Sequence, residues 1–316
     1  MRNKASAPAS MTPPAGPAWA GSLMGTSIAA TLSHLHGFSW LAWFFLAVAT
    51  GVAVVILAGW LRHRAPAFQP ATMAPWGMLA MGLLALGSAW TACTGLESLQ
   101  VLSWWVGTPL AVVVCINQLR HFPGDAPSFQ WALALVAPMV AATSSGQLTH
   151  HHPWMHEAGA AAFVLTFVTA VPVFVLCYRD VLRGRMSLPK QIAGTAWIPL
   201  GMVGQSTAAA QLLFTPRFAH WYGGAMLAMG IPLAAWAFVR FWSAVVSWAG
   251  YSPGWWGSTF PVGTCCLGSH MLAAALGAGW LDAVSLGLLG LLITHWGACA
   301  LRFISWAWEN GTHRHG

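Results

Sequence analysis

Long apolar stretches, broken at short intervals by polar or proline-rich segments, run from residue 18 to residue 307. Each comes near the length of about 20 residues that a helix needs, at about 1.5 Å per residue, to cross a hydrocarbon core of about 30 Å. Ten spans are expected, over 18–35, 40–61, 73–93, 100–119, 129–148, 158–178, 194–214, 223–246, 257–277 and 281–307. A β-barrel would need alternating segments of about ten residues, whereas the run from Leu41 to Leu61 is apolar on all sides. The expected fold is an all-α membrane protein with ten transmembrane helices over 18–307, flanked by short cytoplasmic tails at 1–17 and 308–316. The segment before the first span holds Arg2 and Lys4 but no apolar core ahead of MTPPAGPA, and reads as a tail rather than a cleaved signal peptide.

The prolines reveal a period. Pro17, Pro75, Pro138, Pro199 and Pro261 follow one another at intervals of about 60 residues, the scale of a structural repeat. A second series, Pro109, Pro172 and Pro232, keeps the same interval and trails Pro75, Pro138 and Pro199 by a nearly constant half-period. A helical hairpin of about 60 residues, repeated five times, accounts for both series. Evenly sized hairpins with prolines at similar depths are the plainer explanation, and the constant offset argues against it.

A proline inside a membrane helix frees backbone carbonyls that neighbours, hydroxyls or water must satisfy. The odd-numbered spans supply such groups: Gly25 and Thr26 in the first, Pro138 and Thr143 in the fifth, Pro199, Gly204 and Gln205 in the seventh, Pro261 and Gly263 in the ninth. Five kinked odd helices around an axis, with the even helices facing lipid, is the simplest arrangement, and those nine residues are the expected pore lining. Small residues also permit close helix packing, which is the competing explanation. Gln205 and Gln211 are larger than packing requires.

Composition sharpens this picture. Only 13 Lys plus Arg and 6 Asp plus Glu occur in 316 residues, whereas soluble domains carry charge on about 25% of theirs. A soluble enzyme, a disordered chain and a nucleic-acid binder are excluded. With ten spans and a cytoplasmic N-terminus, 12 basic residues fall inside and only Arg217 outside, which places both termini in the cytoplasm of a cell (plasma or inner) membrane protein. Arg240 and Arg302, in the last turns of spans eight and ten, are expected to snorkel inward. No carboxylate lies at mid-membrane: Glu97, Glu157 and Asp282 are outside, and Asp125, Asp180 and Glu309 inside. Cation channels and proton-coupled pumps place Asp or Glu along their paths, so an uncharged path lined by hydroxyls, amides and helix N-termini points to anions.

Four segments then resemble one family. PAWAGSLMGTSIAA (Pro17 to Ala30), ALVAPMVAATSSG (Ala134 to Gly146), WIPLGMVGQSTAA (Trp197 to Ala209) and GWWGSTFPVGT (Gly254 to Thr264) resemble the tellurite-resistance/dicarboxylate transporters. That family includes TehA-like proteins, fungal malate carriers and sulfite exporters, and is similar to the slow anion channels of plant guard cells. The resemblance implies five hairpins around a central pore, assembly as a homotrimer, and a phenylalanine of the ninth span as gate; here that residue is Phe260. GMVGQ stands where relatives carry a pattern like GPPGQ, which alters the expected kink in span seven. The physics suits a gate, since a ring beside a proline can plug an uncharged pore and swing aside with a modest change.

The partners this implies are small inorganic or organic anions and the lipid bilayer. A gated anion channel leads, with a secondary carrier for C4-dicarboxylate, sulfite or tellurite, proton-linked or not, as the alternative. A third reading is a metalloprotein or sensor using an external histidine cluster: His34, His36, His150, His151, His152, His156 and His220 all fall outside. HHHPWMH lacks fixed metal-ligand spacing, so no metal site is assigned there. His270 and His295 lie inside spans and are expected to hydrogen-bond across helices or reach an interface. The six cysteines, without CxxC spacing, read as small buried residues. No nucleotide-binding loop and no nucleophile-and-base or catalytic metal motif appears, so neither enzymatic activity nor a cofactor is expected.

Overall fold

A computed structural model describes residues 13–122, 127–150 and 152–312. Arg2, Lys4, Asp125, His151 and Arg314, used above for topology and the histidine cluster, lie outside the described residues. The described chain forms ten α-helices and no strand: α1 (Ala20–Leu35), α2 (Ser39–His63), α3 (Met73–Thr94), α4 (Glu97–Arg120), α5 (Leu133–Leu148), α6 (Met155–Leu182), α7 (Ile198–Leu213), α8 (Pro216–Val246), α9 (Thr259–Leu276) and α10 (Gly279–Thr312). Each falls on one expected span. The chain is an all-α, multi-pass membrane protein.

Consecutive helices pair as hairpins, and the odd helices touch in a closed circuit: α1 on α3, α3 on α5, α5 on α7, α7 on α9, and α9 back on α1. Burial follows this two-layer plan. Every residue of α5 is buried except Gln147, while α2 buries only Ala42, Phe45, Leu46, Ala49 and Ile56. Outer helices can therefore expose large apolar side chains such as Leu57, Val168, Val239 and Ile304, as a lipid-facing surface requires.

Seven helices, some with their 3₁₀ lead-ins, meet the length and composition needed to cross a membrane. The inner helices α1, α5 and α7 have only 16 residues, about 24 Å of helix. Protein surrounds them, so irregular backbone at their ends finds partners that lipid would not offer.

The proline kinks expected in the odd helices take a different form. Pro199 is the second residue of α7 and Pro261 the third of α9, and each helix is entered through a 3₁₀ segment, Lys190–Trp197 or Pro253–Ser258. In the first turn an N–H has no intrahelical acceptor, so proline there removes nothing. Within the inner layer Pro138 does sit inside its helix, α5, and the second series lies inside the outer helices, Pro109 in α4, Pro172 in α6 and Pro232 in α8.

The inner helices approach closely where glycines face backbone. A Cβ on Gly204 of α7 would strike the Thr264–Cys265 peptide of α9, and one on Gly268 of α9 would lie 2.6 Å from the Gly204 carbonyl oxygen. This reciprocal contact is the small-residue packing common between membrane helices. It needs a residue without a side chain on both sides.

Two charged or titratable residues depart from expectation. Arg302 does not snorkel: it is buried, donates from Nε to the Ala249 carbonyl at 2.9 Å and lies over the Trp248 ring, because the segment after α8 folds across it. His295 reaches no interface. It is buried against Phe241, Trp242 and Trp197, the Phe241 ring centroid being 4.4 Å away. Arg217 and His220 belong to the first turns of α8, which starts earlier than expected.

Candidate functional site

Two small cavities of about 30 Å³ each lie inside the circuit of odd helices. Because every hairpin returns the chain, the odd helices run in the same direction. One cavity is formed by residues early in those helices, including Gly21, Met78, Val136, Ile198 and Gly257, and the other by residues later in them. They therefore follow one another along the axis. Phe260 borders both and is itself buried.

The two cavities differ in chemistry. The first is walled by methionines, aliphatic residues, glycines and Trp256, with no polar surface. The second carries Thr31, Ser88, Thr143, Ser144, Gln147 and Gln205 beside Ile28, Val140 and Leu267. Neither contains a charged side chain among the described residues.

Hydrogen bonds fix this polar wall. Gln205 donates from Nε2 to Thr143 Oγ1 at 2.8 Å, and Thr143 Oγ1 in turn lies 3.3 Å from the Met139 carbonyl and 3.4 Å from that of Gln205. One amide N–H of Gln205 remains beyond this bond, and its Oε1 has no hydrogen-bond partner among the described residues. One turn further along α5, Gln147 Oε1 accepts from Gln100 Nε2 at 2.6 Å and from Ser88 Oγ at 3.0 Å. A neutral amide with spare donor capacity can attract an anion without binding it as tightly as a cationic side chain would.

Thr143 and Gln205 line the polar cavity, Pro261 lines the apolar one, and Phe260 lies at both. Gly25, Gly204 and Gly263 are helix contacts instead, each facing another chain segment: the Thr259 side chain, the Thr264–Cys265 backbone and Ile28. Pro138 and Pro199 are buried but border neither cavity. Thr26 faces outward, accepting a hydrogen bond from Trp296 Nε1 at 2.9 Å. Gln211 is spent on the Ala219 carbonyl at 2.8 Å, tying α7 to α8.

Ser88 and Gln100 join this site without having stood out in the sequence. Ser88 was nevertheless detectable through the repeat. Thr31, Ser88, Gln147, Gln205 and Leu267 all line the polar cavity, one from each hairpin, and recur at the same interval of about 60 residues as the prolines. Gln100 belongs to an outer helix and enters through its bonds to Gln147, Ser88 and Ser144.

A cavity larger than either of these lies off the axis. It measures about 690 Å³ and sits against the outer face of α1, between α2 and α10, where Val52, Val55, Trp296, Phe303 and Ile304 form its walls. Its surface is almost wholly apolar, and Ser22, Thr26 and Tyr251 are its hydroxyl-bearing residues. Size does not make it the transport path, since it lies outside the circuit of odd helices.

The family model for the voltage-dependent anion channels matches residues 15–304, which takes in all five hairpins. The chain belongs to the voltage-dependent anion channel family. Membership agrees with the resemblance of the ninth-span segment and with the hairpin circuit described above. Among curated proteins, this family member is similar to the sulfite efflux pump SSU1 of Trichophyton rubrum and to that of Arthroderma benhamiae. Each is 24% identical over 210 residues, covering 57% of this chain and 55% of the relative. The matched region thus spans about half the length of those relatives.

Proposed function

We propose that the protein is a membrane pathway for small anions, running along the axis of the five odd helices and closed by Phe260. The position of that ring at both axial cavities carries the reading. A gate needs to fill the narrowest point while leaving space on either side into which it can turn, and an aromatic ring changes its occupancy by a single rotamer step. The absence of charge from both cavity walls favours passage over tight binding, because weak sites let an ion leave. Family membership supports anions as the cargo.

The polar cavity would receive the anion, with Gln205, Thr143 and the Ser88–Gln147 pair offering amide and hydroxyl dipoles. Sulfite is one candidate cargo, in view of the fungal relatives' names, and a carrier that cycles between two closed states is the second reading. The 12-to-1 distribution of basic residues supports cytoplasmic termini, and the family resemblance supports a trimer in the membrane. Purified protein in liposomes tests the proposal: Phe260→Ala should increase anion flux, measured for chloride, nitrate and sulfite in turn. Unchanged flux in a folded variant removes Phe260 as the gate.

A further inference from the structure

Three side chains converge where α1 ends and α9 turns into α10. We propose that His36, His270 and Asp282 form a binding site for a zinc(II)-class divalent metal, with water completing a tetrahedral set. One potential ligand atom from each residue lies within 4.8 Å of the other two. Tetrahedral zinc with bonds of about 2.1 Å holds its ligand atoms about 3.4 Å apart, so small side-chain rotations bring the three into place. The group is half-buried and open to solvent, Asp282 retaining 50% of its side-chain exposure and His270 25%.

The surrounding contacts orient the two rings. Ser285 Oγ donates to the Cys266 carbonyl at 2.9 Å, so toward His36 Nε2, 3.0 Å away, it acts as acceptor. His36 therefore carries its proton on Nε2 and keeps a lone pair on Nδ1. His270 Nδ1 lies 2.8 Å from Asp282 Oδ1, so an ion that displaces the proton between them can be held by both atoms. A hydroxyl that orients a ligating imidazole, as Ser285 does for His36, is a common support of a metal site. The imidazoles are 5.0 Å apart between centroids, close enough to face one ion. A metal ion supplies positive charge that one carboxylate and two imidazole lone pairs can accept.

The site differs from the histidine-rich loop between α5 and α6. There His150 pairs with Glu97 at 3.2 Å and His156 Nε2 donates to the Leu213 carbonyl at 2.8 Å. An ion at His36, His270 and Asp282 would instead join the first hairpin to the last, at the outer end of the seam where the circuit closes.

Calorimetric titration of the chelator-stripped, purified full chain with zinc chloride tests the assignment. One zinc per chain is expected, with a rise in melting temperature on binding. His36→Gln and Asp282→Asn should each weaken affinity by about tenfold or more, and a chain with His150 and His152 changed to Gln should titrate like the parent. Cobalt(II) bound to the unmodified protein should give the intense visible bands of four-coordinate metal. Weak six-coordinate bands, no binding heat, or parental affinity in a His36→Gln, His270→Gln double variant would overturn the site.

Discussion

Gln205 on α7 donates its side-chain amide to Thr143 on α5 across 2.8 Å, inside the same cavity that Phe260 borders. Two residues from neighbouring hairpins are thereby held as one unit. Thr143→Val leaves the Gln205 amide without its acceptor, and Gln205→Leu leaves Thr143 without its donor. Each single change should cost about 1–3 kcal/mol, because a buried polar group loses its partner. The double variant should cost less than the sum, a coupling that chemical denaturation in detergent will measure.

The ring of Phe260 should act through its size. Phe260→Leu is expected to conduct between the parent and Phe260→Ala, and a tenfold gain in flux corresponds to about 1.4 kcal/mol removed from the barrier. Removing a buried phenylalanine costs about 3–5 kcal/mol, so each variant's melting curve must accompany its flux. A flux order that ignores side-chain volume would mean that the ring does not occlude the path.

Charge in the polar layer should decide which ions pass. Gln147→Glu preserves an acceptor for Gln100 and Ser88 while adding a negative charge to the cavity wall. Anion flux should fall about tenfold or more, since like charge in a low-dielectric cavity is weakly screened. The expected reversal-potential shift is away from the anion equilibrium value. Unaltered selectivity would place the ion path elsewhere.

Glycines should divide by what faces them. Gly204→Ala drives a Cβ into the α9 backbone and should destabilise by about 1–3 kcal/mol, or prevent assembly of the α7–α9 contact. Gly224 of α8 has nothing within 4 Å of the same position, so Gly224→Ala should be neutral or raise stability by up to about 1 kcal/mol. Thermal melts of the two variants, prepared in one detergent, make the comparison.

Apolar runs and the scarcity of charge were sufficient for the helix number and class, because crossing hydrocarbon imposes length and composition on the chain locally. The period in the prolines carried the five-hairpin repeat, and the WWGSTFPVGT segment carried Phe260 through resemblance. The direction each inner residue faces could not be read from these signals. Thr26 and Gly25 are neighbours in one turn, yet one meets Trp296 outside and the other Thr259 across the circuit. The inner helices α1, α5 and α7 are buried on nearly all sides, so polarity does not mark which side meets the axis; only the packing of five helices assigns Thr143 and Gln205 to a cavity and Gly204 to a contact. The meeting of His36 with His270 and Asp282 was equally out of reach, since the first belongs to the opening hairpin and the others to the last, and closure of the circuit alone brings them together. Solvent chemistry is written along the chain; which side chains share a space depends on how its helices close upon one another.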